Sequence, residues 1–386
     1  MSNPLRVLHV LGELKPSGAE TMLVAAAPLF QAEGVMLDVL STGTTTGPYA
    51  RRFEDAGYRL HHIPFARSPG FFLRVRKLIQ AGGYDVLHLH TEAANFWFGL
   101  VAKSVRVPVV LRTVHNAFAF TGNLQWRRGV QRRLLNRMGV RHVAISTSVH
   151  DTELRHYRLP TTLVWNWYNN LRFTETTHEA RAAARRRFGV AEQDFVIASI
   201  GNCSLIKNHT AVIEAMAMLP VDARPVYLHA GIEEVGEPER ELARALGVAD
   251  RIHFVGGMGD VLPLLQAADA FVMPSIYEGF GIAAIEALGT GLPALFSDVA
   301  GLRDFRVDFP HLVYCGTTSQ DVAVGIETLM RMPSPVRAAI RAEFPVIAQR
   351  RFGMERGVNE YLALYRPSGE QSTGAGRAAM QVNPRA

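Results

Sequence analysis

One pattern constrains this chain more than any other. Short runs rich in Val, Leu and Ile, closed by Gly, His or Pro, alternate with stretches at helical spacing, and the alternation occurs twice. Continuous apolar runs suit strands buried on both faces of a parallel sheet, with helices covering each side. In the first round, Leu5 to Leu11 stops at Gly12 and reads as such a strand. A loop with Pro16, Ser17 and Gly18 follows, then a helix over Ala19 to Phe30, capped by Ser17 with Glu20 three residues on. Val35 to Leu40, Tyr84 to His90, Pro108 to Val114 and His142 to Ser146 read as further strands, with a helix from about Ala93 to Ser104.

The second round starts near residue 190. Strands are expected at Phe195 to Gly201, Val226 to Ala230, Ile252 to Val255, Ala270 to Pro274 and Pro293 to Ser297. Helices are expected at Asn208 to Met218, Glu237 to Leu246, Val261 to Ala267 and Gly281 to Gly289. The stretch 164–190 has no repeating pattern and reads as a linker. The fold class is therefore α/β: two Rossmann-like, doubly wound parallel-sheet domains facing across a cleft. The expected division is an N-terminal domain over 1–170, a C-terminal domain over 171–345, a terminal helix over 346–366 and a disordered tail over 367–386.

Composition narrows the class. At 386 residues, 48% apolar and 20% charged, the chain is globular and long enough for two domains. Two cysteines, Cys203 and Cys315, make neither a disulfide framework nor a thiolate zinc site, and fit a reducing compartment. No signal peptide and no membrane-spanning run is read, so a cytoplasmic location is expected. The net charge of +6 is uneven: residues 1–170 carry 20 Lys and Arg against 10 Asp and Glu, the remainder 21 against 25. Either the first half meets a polyanionic partner or arginines are scattered over a solvated face.

In open parallel sheets, ligands sit beyond the carboxyl ends of the strands. The richest such position is Pro274-Ser-Ile-Tyr-Glu278-Gly-Phe-Gly281-Ile-Ala-Ala-Ile-Glu286. Gly279 and Gly281, flanking Phe280, let a ligand approach the backbone closely. The helix that follows offers free N–H groups and a positive dipole end, suited to a diphosphate. Glu286 lies in an apolar helix, where a lone carboxylate is costly to bury; a structural partner is the alternative reading. His115 also follows a strand directly.

Glu278-x7-Glu286 with its Gly-Phe-Gly turn resembles the signature of retaining glycosyltransferases of family 4, over roughly residues 5–365. The resemblance implies the GT-B architecture, in which two Rossmann-like domains face each other. It implies that Glu278 contacts hydroxyls of the donor sugar and Glu286 the ribose of the nucleotide. Pro16-Ser-Gly18-Ala-Glu-Thr is similar to the family's glycine loop, which assigns Gly18 to the donor phosphates and the acceptor, with Ser17 in place of the second glycine. Thr113-Val-His115-Asn resembles the family's histidine near the transferred sugar. Gly201-Asn202-Cys-Ser-Leu-Ile-Lys207 aligns with an element whose arginine and lysine neutralise the diphosphate; Lys207 is kept and Asn202 replaces the arginine. In the linker, Asn166-Trp167-Tyr-Asn169 replaces the family's glycine and aspartate. Asp298-Val-Ala-Gly301-Leu-Arg-Asp304 resembles a turn that touches sugar or phosphate.

The resemblance implies a retaining transferase that moves a sugar from a nucleotide-sugar, expected to be a UDP-sugar, to an acceptor hydroxyl. His115, Lys207 and Glu278 are assigned to catalysis. The opening segment is similar to enzymes of bacterial exopolysaccharide and capsule assembly, so a lipid-linked acceptor comes first and a soluble small molecule second. A non-hydrolysing nucleotide-sugar epimerase and a non-catalytic sugar-binding module are the rival readings. No metal or other cofactor and no nucleic acid is expected: Asp-x-Asp is absent, and His88 and His90 share a strand face without a third ligand in view. Finally, Arg67, Arg74, Arg76 and Lys77 surround a helix starting near Phe71, with Phe71, Val75 and Leu78 on one side. Either this is a packed helix with a solvated face, or Phe71 and Phe72 dip into an anionic membrane at the inner face of the cytoplasmic membrane. Arg127, Arg128, Arg132, Arg133 and Arg137 add a second basic run.

Overall fold

The computed structural model describes residues 4–220 and 225–366. The tail expected over 367–386 lies outside the described residues. The first sheet holds seven strands: β1 (Leu5–Leu11), β2 (Val35–Ser41), β3 (Arg59–His62), β4 (Val86–Leu89), β5 (Val109–Val114), β6 (Arg141–Ala144) and β7 (Thr162–Leu163). Its order is β3-β2-β1-β4-β5-β6-β7, parallel throughout. The second sheet holds six: β8 (Val196–Ile200), β9 (Val226–Ala230), β10 (Ile252–Phe254), β11 (Ala270–Met273), β12 (Ala294–Ser297) and β13 (Val313–Cys315). Its order is β10-β9-β8-β11-β12-β13, also parallel. Both are doubly wound, with switch points between β1 and β4 and between β8 and β11. Ligands of such sheets bind at these points.

The helices are α1 (Gly18–Ala32), α2 (Ala50–Asp55), α3 (Pro69–Gly82), α4 (Asn95–Ser104), α5 (Gly122–Arg137), α6 (Thr147–Tyr157), α7 (His178–Phe188), α8 (His209–Met218), α9 (Pro238–Ala245), α10 (Leu262–Ala267), α11 (Ile282–Gly289), α12 (Ser319–Met330), α13 (Ser334–Phe352) and α14 (Met354–Tyr365). The expected linker 164–190 contains α7. Its sequence, rich in Ala and Arg, lacks an apolar stripe, and it is held instead by Arg181 and Arg185, which both pair with Asp269 at 2.6 Å. The single expected terminal helix is two, broken at Gly353, whose backbone is extended (φ −67°, ψ 151°).

α14 crosses back to the first sheet. Met354, Val358, Tyr361, Leu362 and Tyr365 are buried there with Trp167, β1 and α1. The Trp167 indole donates to the Met22 carbonyl at 3.1 Å, and a Cβ on Gly357 would fall 2.2 Å from the Trp167 ring. Burying each large apolar side chain contributes about 1.5–3 kcal/mol. Tryptophan where the family has glycine thus serves packing between linker and α14.

α3 forms much as its periodicity requires. Ser68 accepts from the Phe71 N–H at 3.3 Å, Pro69 opens the first turn and Gly83 closes the helix in the left-handed region. Phe71, Val75 and Ile79 are its buried residues, with Leu78 at the margin. Phe71 has no exposed surface, so it is a core residue and does not reach a membrane.

Candidate active site

The cleft is walled by the loops beyond β1, β4 and β5 on one side and those beyond β8 and β11 on the other. The two walls touch. Tyr277 donates its hydroxyl to the Ala117 carbonyl. Ser146 donates to the Gly279 carbonyl at 2.8 Å. A Cβ on Gly279 would lie 2.3 Å from the His115 carbonyl oxygen, and one on Gly18 3.0 Å from the Ile282 side chain. Glycine at both places is what lets the glycine loop and the donor-side turn meet. Gly281, at φ 83°, supplies the left-handed residue that turns the chain into α11.

At the foot of this turn Lys207 and Glu278 form an ion pair, Nζ to Oε2 at 2.6 Å, with both side chains partly open to the cleft. The other Glu278 oxygen accepts from the Gly279 N–H at 3.2 Å. Lys207 is placed by the loop after β8, where Asn208 takes a positive φ and donates its amide to the Pro274 and Thr317 carbonyls.

Glu286 sits one helix turn into α11 and is buried. No described residue hydrogen-bonds its carboxylate. Burial pushes its pKa up to about 8, against the pull of the nearby Arg172 guanidinium and with a push from Asp260. A partnerless carboxyl beside the helix start offers a hydrogen-bonding site for a ligand hydroxyl.

His115 stands across the cleft, one residue beyond β5. Burial, helped by the Arg112 charge, lowers its pKa to about 4, so it is neutral at physiological pH. Its Nε2 lies 2.9 Å from His90 Nδ1. His90 was not among the residues assigned to the site. Behind it a buried charge cluster fixes the wall. Arg112 pairs with Glu92 at 2.7 Å and Glu153 at 3.2 Å; Arg132 pairs with Glu92 at 3.0 Å and Glu153 at 2.9 Å. Arg132 therefore belongs to the interior and not to the basic surface run. Arg67, Arg74, Arg76 and Lys77 are exposed.

Three other expectations change. Phe280 is buried among Trp165, Phe305 and Phe352, ring centroids 5.1–6.0 Å away, so it anchors the turn from behind and shows no face to the cleft. Ser17 does not cap α1 with its side chain; its hydroxyl donates to the Glu20 carboxylate. A third imidazole does stand near His88 and His90: His9, from β1, brings a ring nitrogen within 4.8 Å of theirs. Both nitrogens of His88 and of His90 are already engaged with hydroxyls or other imidazoles.

Asn202 is exposed, and its amide oxygen accepts from the Ile232 N–H at 3.0 Å, tying the loops after β8 and β9. Asp304 accepts from the N–H and hydroxyl of Ser148 at 2.8 and 2.7 Å, capping α6 of the opposite wall. Neither role was visible in the sequence, because both partners are remote along the chain.

Two doubly wound parallel sheets closing on a glycine-lined cleft make the GT-B architecture. Two family models match the chain: Glycosyltransferase Family 4 over residues 16–171 and Glycosyl transferases group 1 over residues 180–346. EpsF of Bacillus subtilis strain 168 is 26% identical, over 96% of this chain and 98% of its own length. The D-inositol 3-phosphate glycosyltransferase of Salinispora arenicola is 30% identical, over 76% of this chain and 71% of its own. Among solved structures, Anabaena HepE in complex with UDP and glucose matches with a TM-score of 0.78 at 20% identity, covering 93% of this chain and 98% of that one. The chain belongs to the group 1, family 4 glycosyltransferases and is a sugar-transferring enzyme that uses a nucleotide-sugar.

Proposed function

We propose that the enzyme transfers a sugar from a UDP-sugar to a lipid-linked acceptor in exopolysaccharide assembly, with retention at the anomeric carbon. The Lys207–Glu278 pair at the start of α11 carries this reading. As the bond from the anomeric carbon to the diphosphate breaks, positive charge grows on the sugar and negative charge on the leaving oxygen. Lys207 and the unpaired N–H groups of the first turn of α11 meet the leaving charge, in a site where little must reorganise. Glu278 holds sugar hydroxyls, Glu286 the ribose, and His115 the sugar from the opposite wall. Within 200–208 Lys207 is the only cation, so this element brings one positive charge to the diphosphate where the family's brings two.

Retention is assigned to attack from the face of the departing diphosphate. In that assignment Glu278, paired with Lys207, serves to hold the sugar and no covalent nucleophile is assigned. The choice of UDP follows HepE, whose structure holds UDP and glucose. The lipid-linked acceptor is supported by the first unit's surface, where Arg74, Arg76 and Lys77 stand beside exposed Leu73 and, across a 6.1 Å contact from Phe72, half-exposed Trp97. Among the described residues no helix is long and apolar enough to cross a membrane. The name of the Salinispora relative keeps a soluble phosphorylated acceptor as the second reading.

Incubation with a panel of labelled nucleotide-sugars tests the proposal. Turnover of a UDP-sugar, with an α-configured donor giving an α-linked product, is expected. Inversion, or a strict preference for another nucleotide, refutes the corresponding part. Transfer to inositol phosphate but not to a polyprenyl-diphosphate sugar decides for the second reading.

A further inference from the structure

A row of imidazoles runs beneath the cleft. Parallel register places His9 of β1 beside His88 of β4, and His90, two residues on, emerges on the same face. His9 Nδ1 lies 2.9 Å from His90 Nε2, and His90 Nδ1 lies 2.9 Å from His115 Nε2. In both pairs the rings lie edge to edge, their planes 25° and 29° apart and their centroids 5.2 Å apart. His88 stands aside, its nitrogens bonded to the Tyr365 and Thr113 hydroxyls at 2.8 and 2.7 Å. His115 thus has only Nδ1 left, and no described residue hydrogen-bonds it. At the other end His9 Nε2 is buried without a partner.

Burial keeps His9, His90 and His115 neutral, each with a single ring proton. Two proton orders satisfy both contacts. Running away from the cleft, the row ends in an N–H on His9 Nε2, buried with no acceptor. Running toward the cleft, it leaves His9 Nε2 with only a bare lone pair. Buried N–H groups without a partner are the rarer of the two defects in folded proteins.

We propose that the row is ordered toward the cleft: His9 Nδ1–H donates to His90 Nε2, and His90 Nδ1–H donates to His115 Nε2. His115 then offers Nδ1–H as a fixed hydrogen-bond donor to an oxygen of the transferred sugar. His9 and His90 are positioning residues that set the tautomer of a ring they hold from behind. That the acceptor of this hydrogen bond is a sugar oxygen rests on the reading of the cleft as a nucleotide-sugar site. The row is no proton exit, because His9 Nε2 is sealed from solvent; its work is orientation, as outer partners orient a metal-bound histidine.

Long-range 1H–15N spectroscopy of the full chain, labelled with 15N-histidine and free of substrate, reads which nitrogen of each ring carries the proton. The expected result is Nδ1–H on His9, His90 and His115. Nε2–H on His115 and His9 overturns the proposal, as does a stoichiometric divalent metal in the purified protein bound by His9, His88 and His90. The kinetic arm compares His90→Phe with His90→Gln, whose amide keeps a donor and an acceptor. His90→Phe is expected to lower kcat about 10-fold, the worth of one good hydrogen bond, with donor KM nearly unchanged, and His90→Gln to recover most of it. Wild-type kcat in His90→Phe with His115 still protonated at Nδ1 overturns the positioning role. If the wild type turns over no nucleotide-sugar, the functional reading fails while the spectrum still decides the order of the row.

Discussion

Replacing Glu286 with Gln should stabilise the protein in a way that grows with pH. The carboxyl is raised from 4.5 to about 8 by burial. Below pH 4.5 it is protonated both folded and unfolded, and its ionisation makes no difference. Between 4.5 and about 8 the unfolded chain releases the proton and the folded chain keeps it, so stability falls as pH rises. At roughly 1.4 kcal/mol per pH unit, the loss is on the order of 3 kcal/mol at pH 7. Glutamine has no proton to release and escapes it. The difference in unfolding free energy between variant and wild type, from denaturant titration, should be smallest near pH 4.5 and widen by that amount at pH 7. Any fixed effect of the amide cancels in the slope. A gap that stays flat with pH would mean that Glu286 is ionised in the folded state, and the argument from burial fails. The same variant should lose nucleotide affinity by about 0.5–1.5 kcal/mol, the worth of a hydrogen bond between neutral groups, because the carboxyl meets the ribose protonated. A stabler protein that binds its donor less well is the combined signature of a carboxyl kept for a ligand.

Lys207→Ala should lower kcat more than it raises donor KM, because the leaving diphosphate gains charge in the transition state; steady-state kinetics showing only a KM change would contradict this. Glu153→Gln leaves Arg112 and Arg132 with half their counter-charge in a buried setting and should destabilise by about 3 kcal/mol or more, read by denaturant titration; an unchanged midpoint would show that water reaches the cluster. Reversing Arg74, Arg76 and Lys77 to Glu should abolish binding to anionic vesicles at low salt, each cation contributing about 1 kcal/mol, without altering nucleotide affinity. Co-sedimentation in which the wild type ignores such vesicles would favour a soluble acceptor.

The strands most plainly legible are those whose burial is nearly complete: β1, β4, β5, β8 and β11 are apolar runs because both faces are covered. Four-residue β3 was missed because Arg59, His61 and His62 lie on a sheet edge, where polar side chains are tolerated. Periodicity also placed Phe71 on a helix face but could not say which way the face points; the core claimed it. In the site, the Gly-Phe-Gly turn and both glutamates were readable as local spacing. The partners were not. Lys207 meets Glu278 across 71 residues, and Asp304 meets Ser148 across 156. Such pairs are set by how two sheets close on one another. The His9–His90 contact lay within reach, since aligning β1 with β4 as neighbouring parallel strands puts their histidines on one face.

The return of α14 to the first sheet bears on how the protein is made. Its aromatic residues fill a slot lined by Trp167 and the helix after β1, so the first unit lacks part of its interior until α14 is available. During synthesis that slot stays open while the whole second unit emerges from the ribosome. Docking of α14 is what closes that slot, and it joins segments from opposite halves of the sequence. Severing the linker would thus not release two independent domains: the piece carrying His115 would lose its final wall, and the piece carrying Lys207 would keep a helix with nowhere to bury its tyrosines.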